Sequence, residues 1–115
     1  MEQDEITRRN VAIAEYMGWV KNKYSTWYFP PKDAPVDLHE LYGTEQFYFN
    51  KDWQWLMPVV EKIMEESRLA FHAFPKGSGG KSVCRFGMLL KNEVGSTMIE
   101  ATWKAVSEYV LSLGK

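Results

Sequence analysis

Between Phe47 and Ile63 the sequence changes period. Phe47, Tyr48 and Phe49 form an aromatic run suited to a strand, and Asn50 and Asp52 are both residues that cap helices. Trp53, Leu56, Val60 and Ile63 then recur at three-to-four-residue spacing, as one face of a helix does. The reading is a strand over 45–49 that runs through polar cap residues into a helix over 52–67. A proline beyond the first helical turn deletes a backbone hydrogen bond and crowds the turn before it, so Pro58 predicts a kink or a late helix start. This segment dictates architecture and carries no chemistry.

The remaining elements follow from the same rules. Ile6, Asn10, Ile13 and Met17 make one stripe of a first helix over 4–17, with Asp4 and Glu5 at its positive end. Gly18 is its stop, and Trp19 is expected to fold back on the last turn. Residues 69–74 and 82–90 alternate as two strands, the second with Cys84, Phe86, Met88 and Leu90 on one face. The glycine-rich loop 75–81 joins them as a hairpin longer than the preferred two-residue turn. Thr97 and Glu100 form a capping box for a last helix whose stripe is Ile99, Trp103, Val106, Val110 and Leu113, with Gly114 beyond it. Together these predict one α+β domain over 1–115. It is a small, mainly antiparallel sheet of three to four strands packed with three α-helices, sandwich-like in its layering.

From about 21 to 43 the pattern is poor, because Pro30, Pro31 and Pro35 exclude regular helix or a central strand. A brief strand over 24–29 and a single helical turn over 36–42 capped by Asp37 are the only regular pieces expected there. Yet 11 of the 17 aromatic residues lie between Trp19 and Trp55, in a chain that is 15% aromatic. An excursion so rich in rings must fold against the domain or present them to a partner.

Charge and cysteine content narrow the function classes. The formal net charge of −1 supplies no overall field to gather nucleic acid or an anionic membrane. Cys84 is the only cysteine, which excludes an intramolecular disulfide and suits a reducing, cytoplasmic setting. The opening Met-Glu-Gln-Asp-Glu is acidic where a signal peptide is basic, and no apolar run approaches the roughly 20 residues that span a bilayer.

Each candidate chemistry is outweighed by a plainer reading. Gly79-Gly80-Lys81-Ser82 matches the end of a phosphate-binding loop, but Pro75 stands where the first glycine is needed and a strand follows where a helix must. His39, His72 and Cys84 lack the close spacings of zinc ligands, and Cys84 shares a face with Phe86 and Met88, as an inert buried thiol would. Glu61 and Glu65 share a helix face, as general acid/base chemistry requires, and so do glutamates on any solvated helix. No catalytic residue, cofactor or metal is expected.

Trp53-x-Trp55-Leu-Met-Pro-Val-Val-Glu-Lys-Ile63, preceded by its aromatic run, resembles a motif in small uncharacterised proteins of gut Bacteroides and their prophages, the phage ABA sandwich domain group. Val11-Ala-Ile-Ala-Glu-Tyr-Met-Gly18 is similar to that family's opening helix, and Ile99-Glu-Ala-Thr-Trp-Lys-Ala-Val-Ser-Glu-Tyr-Val110 to its closing helix. The resemblance covers about a third of the chain. It implies a sheet between helix layers and brings no catalytic residues with it.

The leading functional expectation is therefore a phage or prophage-type accessory protein that binds another protein, or itself, through Trp19, Tyr24, Trp27, Tyr28 and Phe29. The alternative is a nucleic-acid accessory factor that stacks bases on the same rings and meets phosphates with Lys21, Lys23 and Lys32. A small enzyme would need His39 or His72 brought near Glu61.

Overall fold

Gly18 and Asp52 act where their chemistry demands. In the computed structural model, which describes residues 2–74, 81–87 and 93–113, the first helix α1 spans Gln3–Tyr16. Gly18 adopts φ +100°, its N–H meets the Glu15 carbonyl, and the Trp19 N–H reaches back to the Ala14 carbonyl at 2.9 Å. That pair of bonds is the glycine-terminated helix end expected from sequence, and it turns the Trp19 ring into the core.

Asp52 caps the second helix α2, Trp53–Ser67, by accepting the Gln54 N–H at 2.9 Å. Asn50 does not share the capping role, because its side-chain oxygen accepts from Asn10 on α1. Pro58 lies inside α2 and does not delay its start, although without an N–H it leaves the Gln54 carbonyl short of its usual helical donor. The buried stripe is Trp55, Leu56, Val59, Val60 and Ile63. Trp53, expected on that stripe, is 40% exposed instead, since the contact face is rotated to put Trp55 inward.

The strand predicted over 45–49 does not form. Thr44–Gln46 is a short 3-10 helix, and residues 47–49 keep the alternation of a strand, with Phe47 and Phe49 buried and Tyr48 exposed, but pair with no neighbour. Their backbone groups are satisfied elsewhere: the Phe47 carbonyl accepts from the Asn10 side chain, and the Tyr48 carbonyl accepts from the N–H groups of Lys51 and Asp52. An alternating pattern reports burial on one side, whereas a strand also needs a ladder.

Among the described residues, five strands form two antiparallel sheets. The small ribbon pairs β1 (Val20–Lys21) with β2 (Tyr28–Phe29), placing Val20 opposite Phe29 and Lys21 opposite Tyr28. Tyr42 adds an isolated bridge to Tyr28. The three-stranded sheet, in the order β3-β4-β5, joins β3 (Phe71–Phe74), β4 (Ser82–Phe86) and β5 (Glu93–Gly95). Met88, Leu90, Gly114 and the loop at 75–80 lie outside the described residues.

Ser82, Cys84 and Phe86 of β4 point to the buried side, where the third helix α3 (Met98–Leu113) crosses β4 and β5. The Thr97 hydroxyl accepts the Glu100 N–H at 3.2 Å, one half of the expected capping box, while the Glu100 carboxylate turns to the Ser96 hydroxyl at 2.9 Å. Trp103, Val106 and Val110 are buried as the spacing predicts. Leu113, at the end of the stripe, is exposed. The Val36–Tyr42 stretch makes a turn instead of a helical one: Asp37 accepts the His39 N–H on its side chain and the Glu40 N–H on its carbonyl.

A polar seam ties α1 to α3. Arg9 is 9% exposed and donates to Glu5 at 3.0 Å, to the Ser107 hydroxyl at 2.6 Å and to Glu108 at 2.7 Å. A buried guanidinium is tolerable only when its donors are met, and these partners meet them.

Candidate interaction surface

The excursion after α1 divides its rings between two sides. Trp19 and Tyr28, proposed from sequence as contact residues, are each 4% exposed and belong to the core. The reason is steric: Gly18 turns Trp19 onto Trp55, where the rings stack with centroids 5.6 Å apart and planes 18° apart, and Tyr28 packs edge-on against Phe47 at 5.3 Å. Burial, and then the neighbouring Glu15 carboxylate, raises the Tyr28 hydroxyl pKa. Neither ring can anchor a partner without unfolding the region it holds together.

The other three proposed rings do face solvent. Tyr24 is 85% exposed, Trp27 43% and Phe29 47%, and Val20, opposite Phe29 on the ribbon, is exposed beside them. The loop that carries them is internally bonded. The Asn22 N–H meets the Trp27 carbonyl at 2.8 Å, the Asn22 side chain accepts the Tyr24 N–H, and the Ser25 hydroxyl accepts the Trp27 N–H. Small polar side chains thus replace the ladder that two-residue strands cannot extend. Lys21, Lys23 and Lys32 are exposed as well, and the Lys23 ammonium lies 5.2 Å from the centre of the Tyr24 ring.

Behind the ribbon, residues 31–35 lean towards α2 and enclose a groove of about 490 Å³. Its floor includes Trp19, Phe49 and Trp55, and Pro31, Pro35 and Pro58 stand in its walls. Its charged residues are Asp33, Glu61, Glu65, Glu66 and Lys62. The Lys62 ammonium donates to the Tyr16 carbonyl at 2.6 Å, lies 3.9 Å from Glu66 and sits 4.4 Å from the centre of the Tyr16 ring. Glu66 in turn accepts the Tyr16 hydroxyl at 2.7 Å; burial first, and then this carboxylate, raises the phenol pKa. Sequence reading singled out Glu61 and Glu65 as sharing a helix face, but could not place Asp33 opposite them.

A smaller cleft of about 260 Å³ opens between Ile6, Asn50 and the first turns of α3. Its charges are balanced, since Lys104 lies 3.2 Å from Glu100. Cys84 is fully buried, with its sulfur 3.3 Å from the Thr102 hydroxyl and 3.4 Å from the Met98 sulfur, and burial pushes its thiol pKa up. Such a thiol is packing material. His39 is exposed in the 37–40 turn, His72 is on β3, and the groove that holds Glu61 has no histidine in its wall. Among the described residues no group of three or more histidine, cysteine, aspartate or glutamate side chains is placed to hold a metal, and no helix is long and apolar enough to cross a membrane.

Comparison of the chain with protein-family models, with curated proteins and with solved structures finds no match.

Proposed function

We propose that this chain is a non-enzymatic accessory protein of phage or prophage type, working in the cytoplasm, that engages another protein or a second copy of itself through the outer face of the β1–β2 ribbon. The observation that supports it is the exposure of Tyr24, Trp27 and Phe29 on a loop whose backbone is hydrogen-bonded in place. Large rings held rigidly in water lose little conformational entropy when covered, and tryptophan and tyrosine tend to dominate interface energies. The phage-type assignment leans on the resemblance of the 53–63 segment and both outer helices, and the cytoplasmic one on the lone cysteine.

One observation favours nucleic acid as a second reading. Lys21, Lys23 and Lys32 accompany the same rings, so the ribbon has the ingredients of a base-stacking platform. The carboxylates of the neighbouring groove oppose it by repelling phosphate.

Light scattering at low salt separates the two, on the protein alone and mixed with short single-stranded or double-stranded DNA. The expected result is an assembly that DNA leaves unchanged and that Trp27→Ala with Phe29→Ala dissociates. A monomer whose mass rises only with DNA, by binding that weakens steeply with salt, moves the assignment to nucleic acid. An assembly indifferent to both substitutions removes the ribbon from the interface.

A further inference from the structure

The two edges of the three-stranded sheet are finished differently. In an antiparallel ladder the backbone groups of alternate residues turn to the neighbouring strand, and those of the residues between them turn away. The Gly87 N–H meets the Ala70 carbonyl at 2.7 Å, and Phe71, His72, Ala73 and Phe74 stand opposite Phe86, Arg85, Cys84 and Val83 in turn. Ala70, His72 and Phe74 therefore bond towards β4, and the N–H and C=O groups of Phe71 and Ala73 point outward. By the same alternation Val94 carries the outward groups of β5. That edge is guarded: the Lys104 ammonium donates to the Val94 carbonyl at 2.9 Å, and a lysine on an edge opposes pairing with another chain. On β3, among the described residues, nothing bonds to the outward groups of Phe71 and Ala73, and the strand itself holds no lysine, arginine or carboxylate.

The side chains beside those groups complement their own two-fold copy. Phe71 and Ala73 lie on the same sheet face as Phe86 and Cys84, the face that α3 covers over β4 and β5. The cover ends between the strands: Cys84 is fully buried, and Ala73 opposite it is exposed. Phe71, whose ring centroid is 5.1 Å from that of Phe86, is half-buried. A two-fold axis at His72 sets Phe71 of one copy against Ala73 of the other, and the reverse. Each large ring then covers a small exposed side chain, and every outward N–H of these residues meets an outward C=O. Neighbouring registers lose a bond. Moving the axis to Phe71 brings in Leu69, whose N–H is taken by the Ser67 hydroxyl, and moving it to Ala73 brings in Pro75, which has no N–H. The backbone alone accepts any extended strand; the reciprocal fit of Phe71 and Ala73 selects this one.

We infer that β3 is the contact strand of a two-fold dimer, in which the three-stranded sheets of two copies join edge to edge and antiparallel, with His72 facing His72 across the axis. The inference does not rest on the ribbon, which belongs to the other sheet, so each surface can fail without the other. Its geometry makes a covalent prediction. Residues that meet on such an axis without hydrogen-bonding each other have Cα atoms about 4.5 Å apart, within reach of a disulfide. The two Ala73 residues lie diagonally, about 7–8 Å apart, too far to be bridged.

The test is sedimentation equilibrium on the chain carrying Trp27→Ala and Phe29→Ala, followed by mild oxidation of cysteine variants in that background. The ribbon substitutions should lower the mass only as far as this dimer, whereas a failed β3 contact leaves a monomer. Ala73→Pro deletes an outward N–H and no bond to β4, and should weaken the dimer at least about tenfold. His72→Cys should give a cross-linked dimer on a non-reducing gel, while Ala73→Cys should not, and neither should the parent chain, whose Cys84 is fully buried. A monomer at every concentration up to about 1 mM overturns the inference, as does a dimer that Ala73→Pro leaves at full strength. If Ala73→Pro does not fold, the cysteine variants decide: cross-linking at His72 alone upholds the register, and equal cross-linking at both positions, or none at His72, overturns it.

Discussion

The side-chain oxygen of Asn10 accepts the indole N–H of Trp103 at 2.8 Å, joining α1 to α3 across most of the chain. The Asn10 amide nitrogen donates to the Phe47 carbonyl at 3.1 Å and to the Asn50 side chain at 3.0 Å. One buried carboxamide therefore satisfies three groups on two other segments, and truncating it strands a buried donor and a buried acceptor together. Asn10→Ala should destabilise the fold by about 3 kcal/mol. Trp103→Phe deletes the indole donor and keeps most of the ring, so its cost should be smaller. In urea unfolding, a double variant whose loss equals the sum of the singles would show that the pair is not coupled.

Trp53 and Trp55 are two residues apart and should respond differently. Trp55 stacks on Trp19 and meets Tyr48 and Phe49 edge-on, whereas Trp53 is 40% exposed and, among the described residues, belongs to no ring cluster. Trp55→Ala should cost about 3–5 kcal/mol, and Trp53→Ala under about 1 kcal/mol. Comparable losses of melting temperature would place α2 in a different rotation about its axis.

Stability should fall at acid pH through carboxylates at the starts of two helices. The Arg8 guanidinium, with Arg9 beside it, holds the Glu5 carboxyl down to about 2 from an ordinary 4.5. The Ser96 hydroxyl, and then Lys104, lowers the Glu100 carboxyl. A carboxylate whose folded pKa is depressed contributes stability that is fully present above its unfolded value and is lost as pH falls through the folded one. For Glu5 that window runs from 4.5 down to about 2. Melting temperature should be level near neutrality and decline below 4.5, and Glu5→Gln should flatten part of that decline. A Glu5→Gln profile superimposable on that of the parent chain would refute the assignment.

Gly95 marks the point where β5 meets α3. A Cβ there would lie 2.6 Å from the Ala101 backbone nitrogen, closer than such atoms approach, and a helix backbone cannot step aside as a flexible side chain can. Gly95→Ala should therefore cost at least about 1–3 kcal/mol in chemical denaturation, by forcing β5 and α3 apart. A neutral effect would mean that the strand and helix are less closely seated.

The local signals in the chain were legible because their physics is local. The glycine stop at Gly18, the Asp52 cap, the Thr97 half of the capping box and the alternation around Cys84 each act within a few residues, and each appears where the sequence puts it. The periodic residues of α3 similarly announce their own helix, since spacing along one face needs no knowledge of the partner. The same reasoning failed where an outcome depended on what lies opposite. Phe47 to Phe49 had the pattern of a strand and found no ladder, Trp53 had the spacing of a core residue and lost the place to Trp55, and Tyr28, together with Trp19 in its second role as a contact ring, was covered by Phe47 and Trp55.

By itself, the sequence determined the α+β class, the three helices and one end of each, through hydrogen bonds and side-chain spacings confined to a turn or two. The tertiary structure alone decided which rings remain in water, which carboxylates face one groove, and that Asn10 and Trp103 are partners. Those outcomes depend on contacts between residues far apart in the chain, where burial is set jointly by several elements and by no single stretch of sequence.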